Sequence, residues 1–268
     1  MLRTESDKMD LQLKDRVIVV TGGAKGIGAA IVRACAEEGA IAVILDRDEV
    51  AGKQLVAELQ ASGSKAAFIA VDLIESDACK QAVQRAVELF GRMDGLVNNA
   101  GVNDRVGLEG GSPHEFVDSL RRNLLHYYNV THFALPHLKQ TRGAIVNIAS
   151  KVALTGQGGT SGYAASKGAI LALTREWAID LLPFGIRVNA VLPAEVMTPL
   201  YRQWLDTFPD PEQRLATITA KIPLEKRMTK AEEIAWTVLF LLSHRSAHTT
   251  GQHISVDGGY VHLDRALS

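Results

Sequence analysis

Short apolar runs alternate with longer amphipathic stretches along most of this chain. Seven runs read as strands: Val17–Thr21, Ile41–Asp46, Ala67–Asp72, Gly95–Asn98, Ala144–Ile148, Arg187–Leu192 and Ile254–Val256. They are near-continuous apolar blocks and not alternating ones, the pattern of strands covered on both faces. Between them, apolar residues recur at helical spacing over Ile27–Glu38, Glu49–Ala61, Ser76–Phe90, Pro113–Leu138, Gly162–Leu182 and Lys230–Leu242. Such alternation predicts right-handed crossovers and one parallel sheet. The fold expected is α/β: a single-domain, Rossmann-type doubly wound parallel sheet of about seven strands, order 3-2-1-4-5-6-7, with helices on both faces.

The span 193–223 departs from this rhythm, because prolines and two helical fragments interrupt it. It follows the sixth strand and would overhang the carboxyl edge of the sheet, where open α/β sheets bind ligands, so it is expected to be a substrate lid. Residues 1–8 are polar and hold no apolar segment; a disordered tail is expected there, not a secretory signal, with the domain running over 9–268.

Composition narrows the classes. A chain of 268 residues, 47% hydrophobic and 22% charged, has the makings of one large buried core. Net charge is -1 and no basic stripe appears, so a nucleic-acid partner is not expected. No apolar run reaches the length of a membrane span. Cys35 and Cys79 sit in helical patterns without metal-ligand spacing, which suits buried free thiols in a reducing cytoplasm. The eight histidines show no metal spacing either, and no metal is expected.

Candidate chemistry begins where the first strand runs into Thr21-Gly22-Gly23-Ala24-Lys25-Gly26-Ile27-Gly28 and then a helix. Glycines there let the backbone approach a pyrophosphate, and the helix start offers free N–H groups and partial positive charge. The second strand ends at Asp46, whose carboxylate suits a ribose 2′-hydroxyl and repels a 2′-phosphate, so NAD is the cofactor expected. Lys25 and Arg47 could both reach a 2′-phosphate, and NADP stays open.

Tyr163 and Lys167 lie four apart at the start of the fifth helical pattern, one turn apart on one face. A phenol of ordinary pKa, about 10, is a poor base at neutral pH; lowering it by roughly three units takes about 4 kcal/mol, within reach of an ammonium and a cationic ring together. Ser150 ends the fifth strand, where its hydroxyl could hold a reacting oxygen. Asn123 is an amide among apolar neighbours in mid-helix, a placement that needs a reason.

At these residues the chain resembles the short-chain dehydrogenase/reductase family over nearly its whole length from Met9. The family's glycine motif matches Gly22, Gly26 and Gly28, its adenine-side aspartate matches Asp72, followed by Leu73, and its Asn-Asn-Ala-Gly segment is Asn98, Asn99, Ala100 and Gly101. Its tetrad matches Asn123, Ser150, Tyr163 and Lys167. The resemblance implies that the Asn shapes a proton relay, the Ser orients substrate, the Tyr transfers the proton and the Lys binds the nicotinamide ribose. The motif after strand six usually reads Pro-Gly and is Pro193-Ala194 here, with Val196 and Thr198 at the carboxamide-holding positions. A homotetramer is also implied, and the two longest helical patterns carry apolar residues on more than one face.

Residues expected around the nicotinamide mouth are polar: Asn103, Asp104, Gln157 and Glu195, with Tyr201 and Trp204 in the lid. A polyol wants such hydrogen-bond partners plus an aromatic face, whereas an acyl chain wants apolar walls. Several stretches, such as 101–104, 123–128, 194–201 and 262–267, look like the bacterial L-fucose dehydrogenases within the family. That likeness implies oxidation of the anomeric C1 hydroxyl of a free sugar to its lactone. A 3-oxoacyl-thioester reductase is the rival enzyme; a cofactor-sensing regulator is the rival outside enzymes, though such proteins typically lack the Tyr or the Lys.

Overall fold

The computed structural model describes residues 10–263. The tail expected over residues 1–8 and the end of the stretch 262–267 lie outside them. Seven strands, β1 (Val17–Thr21), β2 (Ile41–Asp46), β3 (Ala66–Ala70), β4 (Gly95–Asn98), β5 (Ala144–Ile148), β6 (Arg187–Pro193) and β7 (His253–Val256), form one sheet in the order β3-β2-β1-β4-β5-β6-β7. Every pairing is parallel, for example Val17 with Ile41 and Ala144 with Arg187. The strand order reverses between β1 and β4, which opens a crevice at their carboxyl ends.

Both sheet faces are covered. Ile18, Val20, Ala42 and Ile44 point to the side where α1 (Gly26–Glu37) and α9 (Ala231–Leu242) pack, with Leu55 and Leu59 of α2 (Glu49–Ala61). Val17, Val19, Val43 and Leu45 point the other way, into a second core with Cys79 and Val83 of α3 (Ser76–Phe90), Tyr127 and Val130 of α5 (His126–Thr141), and Ile170 and Leu171 of α6 (Ser161–Leu181). Both successive residues of a strand are therefore buried, and the uninterrupted apolar runs have their physical reason. Each such aliphatic side chain contributes about 1.5–3 kcal/mol by leaving water.

Several boundaries move by a residue, as at β6, β7, α1 and α6, and two differences from the sequence reading bear on the site. The third strand ends at Ala70, so Asp72 stands in the following loop, where its Oδ1 accepts from the Ile74 N–H at 3.1 Å. The helix expected over Pro113–Leu138 is instead α4 (Pro113–Leu120), a π-helical turn over Arg121–Leu125, and α5. Within that turn the Asn123 amide donates to the Ser119 carbonyl at 3.1 Å, one turn back, so a polar side chain satisfies part of its need inside the helix itself. The span after β6 does form two short helices, α7 (Pro199–Leu205), capped by Thr198, and α8 (Pro211–Thr219), capped by Asp210.

Asp94 ties the opposite edge of the sheet together. Its buried carboxylate accepts from the Val17 N–H at 2.9 Å, from Arg16 at 2.8 Å and from Arg92 at 2.6 and 2.8 Å. Asp94→Ala leaves a buried backbone N–H without a partner and should cost about 3 kcal/mol. Urea denaturation followed by circular dichroism measures it; a loss under 0.5 kcal/mol would count against the carboxylate as a structural tie.

Candidate active site

The glycine loop is tight because nothing larger fits. A Cβ on Gly28 would lie 2.1 Å from the Gly22 carbonyl oxygen, and one on Gly22, which has φ +61°, would lie 2.8 Å from the Ala100 Cα. From the other side Asn99 clamps the loop, its amide donating to the carbonyls of Thr21 and Gly22, both at 3.0 Å. The Thr21 hydroxyl accepts in turn from the N–H groups of Asn99 and Ala100. The start of α1 thus presents its free N–H groups to open space at the sheet crevice, a ready site for a diphosphate.

A cleft of about 600 Å³ runs along this edge. Its nucleotide end holds Gly22, Lys25, Gly26, Ile27 and Gly28, the β2 end with Asp46 and Arg47, Asp72 and Leu73, and Asn99, Ala100 and Gly101. Its far end holds Asn103, Ser150, Tyr163, Lys167, Pro193, Val196, Thr198 and Tyr201. These residues come from seven separate segments, and most of those singled out in the sequence meet here.

At the β2 end, Asp46 accepts from the N–H groups of Ala24 and Asp48, both at 3.0 Å. Lys25 is ion-paired with Asp48, which also caps α2. Arg47 is exposed and has no ion pair among the described residues. The sequence reading passed over Asp48; an acid two residues beyond a strand-end aspartate, at a helix start, was its signal.

At the far end, Lys167 is buried at 2% exposure, and its Nζ lies 5.5 Å from the centre of the Tyr163 ring. Burial lowers the Lys167 pKa to about 7. The half-buried Tyr163 phenol is pushed up to about 12, by its poorly solvated surroundings first; the Ser150 hydroxyl opposes this and the Asp104 carboxylate adds to it. The acidic phenol expected from the sequence is therefore not a property of the protein groups alone. One nearby ammonium, itself held near neutrality, does not outweigh desolvation. Asn123 lies behind the cleft, its Oδ1 accepting from the Val102 N–H at 2.7 Å.

Four residues expected to face substrate stand elsewhere. Asp104 sits behind the cleft, accepting from Ser119 Oγ at 2.8 Å and paired with Arg122. Gln157 is exposed on the loop after β5. Trp204 packs within the lid, edge-on to Tyr201 and Phe208, with Arg105 and Arg214 over its ring. Glu195 lies one layer down: it is ion-paired with the buried Lys151 and accepts from the Tyr201 hydroxyl at 2.6 Å. Lys151 itself lies over the Tyr260 ring and escaped notice as a charge beside a strand end.

A family profile described as "Enoyl-(Acyl carrier protein) reductase" matches residues 22–261. The chain belongs to the short-chain dehydrogenase/reductase family. It is 37% identical to an L-fucose dehydrogenase of Bos taurus, over 94% of this chain and 91% of that one. It is 36% identical to the 3-oxoacyl-[acyl-carrier-protein] reductase FabG of Thermotoga maritima, over 94% and 100%. Among solved structures it superposes on Cj0485 dehydrogenase with a TM-score of 0.91 at 45% identity, covering 96% of this chain and 98% of that one. The aldohexose dehydrogenase of Thermoplasma acidophilum superposes with a TM-score of 0.87 at 31% identity, covering 96% and 98%. This chain is accordingly an oxidoreductase of the NAD(P)-dependent kind that acts on CH–OH groups.

The cradle residues fit such a nucleotide: the glycines leave no room for side chains where the diphosphate would approach, and two acids crowd the ribose end. Gly28→Ala should disrupt cofactor binding, because its Cβ would collide with the Gly22 backbone, which cannot swing aside, as well as with the Asn99 amide. Fluorescence titration with NAD is expected to show at least a hundredfold weaker Kd; binding within threefold of the parent would show that this loop does not hold the diphosphate.

Proposed function

We propose that the protein oxidises the anomeric C1 hydroxyl of an aldose, L-fucose or a close relative, to the lactone with NAD. The observation carrying the sugar reading is the far wall of the cleft. Tyr201 lines it, with its hydroxyl bound to a buried Glu195–Lys151 ion pair, and Asn103 and Ser150 stand nearby. A polyol can exchange hydrogen bonds with the remaining capacity of the Tyr201 oxygen, Asn103 and Ser150, while an acyl chain would bring no partner to them. Likeness to an L-fucose dehydrogenase and to an aldohexose dehydrogenase supports the same class.

In this reading, a nicotinamide held at Lys167, Val196 and Thr198 would supply the acceptor for the hydride leaving the sugar C1. Ser150 Oγ orients the C1 oxygen and Tyr163 takes its proton. Lys167 holds the nicotinamide ribose and favours the phenolate, while Asn123 fixes the backbone at Val102 beside them. Since Tyr163 stands at about 12 with the protein's groups alone, working near neutrality requires the positive charge of the oxidised cofactor in addition to Lys167. NAD is preferred over NADP because Asp46 and Asp48 flank the ribose end and Lys25 is already paired.

Purified protein given a panel of aldoses with NAD or NADP should reduce NAD fastest with L-fucose or a near relative. Tyr163→Phe should lose at least a thousandfold in kcat. Glu195→Leu should raise the sugar KM at least tenfold by releasing Tyr201 and stranding Lys151. Turnover of a 3-oxoacyl thioester with no aldose oxidised would overturn the sugar reading. We also propose a cytoplasmic homotetramer, with the exposed Leu125, Tyr128, Ile179 and Leu182 covered by neighbouring subunits. Sedimentation equilibrium should give four 29.0 kDa chains, and a monomer would refute it.

A further inference from the structure

Lys167 has company besides Tyr163. Its Nζ donates to the Ile148 carbonyl at 2.8 Å and to the Tyr127 hydroxyl at 3.0 Å. The Tyr127 hydroxyl donates its own proton to the same Ile148 carbonyl, at 2.8 Å. That proton being spent, the Tyr127 oxygen meets the lysine only as an acceptor, and an acceptor favours ammonium over amine. The nitrogen stands 5.1 Å from the centre of the Tyr127 ring and 5.5 Å from that of Tyr163, so two tyrosines flank one charge.

We propose that Tyr127 is a positioning residue for the reaction: its hydroxyl holds the Lys167 ammonium charged and aimed at Tyr163. It is not a second base. Tyr127 is fully buried, and burial first, with Tyr163 adding to it, raises its phenol well above the usual range. The groups facing Lys167 are the Ile148 carbonyl, the two phenols and Gly101, where an added Cβ would lie 3.5 Å from the lysine Nζ and 3.1 Å from the Asn123 Oδ1. His126 adjoins Tyr127 and Asp72 lies across the cleft; burial, first of several causes, holds His126 down at about 4, so it stays neutral over the working range. No carboxylate is hydrogen-bonded to the ammonium among the described residues, and the Tyr127 oxygen is its only side-chain acceptor there.

A π-helical turn leads into this arrangement and ends at Leu125, directly before His126 and Tyr127. Asn123 comes from this turn and Tyr127 from the first turn of α5 that follows it, one beneath Gly101 and one beneath Lys167.

The inference rests on the catalytic roles proposed for Tyr163 and Lys167 but not on which sugar is oxidised. Its test is Tyr127→Phe, which keeps the ring and leaves the Ile148 carbonyl paired with Lys167. With less support for the ammonium, Tyr163 ionises less readily. The acid limb of the kcat pH profile should move to higher pH by at least half a unit, and kcat at pH 7 should fall about tenfold with the sugar KM within threefold. 3,5-Difluorotyrosine placed at 127 keeps the shape and weakens the oxygen as an acceptor; it should move the limb the same way by less, and it serves should the Phe variant not fold. A parental profile in either folded variant, or a uniform fall with no shift of the limb, overturns the proposal. Tyr163→Phe run alongside keeps the two readings apart: if it retains turnover the catalytic assignment has failed, and if it alone is inactive only the role of Tyr127 has.

Discussion

A lysine ammonium at 2% exposure, with no carboxylate bonded to it among the described residues, is the constraint around which this molecule is arranged. Taking such a charge out of water costs several kcal/mol unless acceptors surround it. The acceptors come from the carboxyl end of β5 and the start of α5, and the lysine comes from the second turn of α6. All three are held by one core: Ile170 and Leu171 of α6, Tyr127 and Val130 of α5, and Ile145 of β5 share the same side of the sheet. The parallel pairing makes this possible, since it delivers the ends of β1, β4, β5 and β6 to one edge.

The other half of the cleft is built on a different physical basis. There the backbone, and not a side-chain charge, meets the ligand, so exclusion of side chains matters more than their presence. Gly22 and Gly28 would each collide with main chain if enlarged, and Asn99 holds the loop by its carbonyls from β4. The polar groups of this region satisfy one another before any nucleotide arrives: Thr21 with Asn99 and Ala100, Asp46 with Ala24 and Asp48. A cradle already hydrogen-bonded to itself loses little conformational freedom on binding, which favours affinity.

What the sequence discloses, and what it hides, follows from how local each signal is. The strands were legible because both faces are buried, so their apolar runs are continuous, and the glycine loop because strand, turn and helix adjoin. Tyr163 and Lys167 were legible because a spacing of four is a helix face. The break before α5 was not, since the apolar periodicity runs through Arg121–Leu125 without interruption and the bond from the Asn123 amide to the Ser119 carbonyl shows only in three dimensions. Glu195 was read as a substrate contact, but its partner Lys151 lies 44 residues away and no local pattern joins them. Trp204 looked like a sugar platform until its ring was seen enclosed by Tyr201, Phe208 and two arginines. No local pattern gives Tyr127 a role of its own: by burial it belongs to the core, and only the direction of its hydroxyl sets it apart.

The two buried lysines near Ser150 show how one chain assigns opposite uses to the same side chain. Lys151 faces a carboxylate, Glu195, and the pair neutralises itself. Its charge is then unavailable to anything else, and what it gives the cleft is a fixed wall on which Tyr201 rests. Lys167 meets only neutral oxygens, so its charge is solvated but not cancelled, and its pKa settles near the pH at which a cell works. A carboxylate in place of Tyr127 would hold that lysine charged more firmly. It would also place an anion opposite Tyr163, raise the phenol further and oppose the phenolate that proton abstraction needs. A neutral phenol as the second acceptor avoids that conflict: it supports the cation without introducing a negative charge beside the group that must become one.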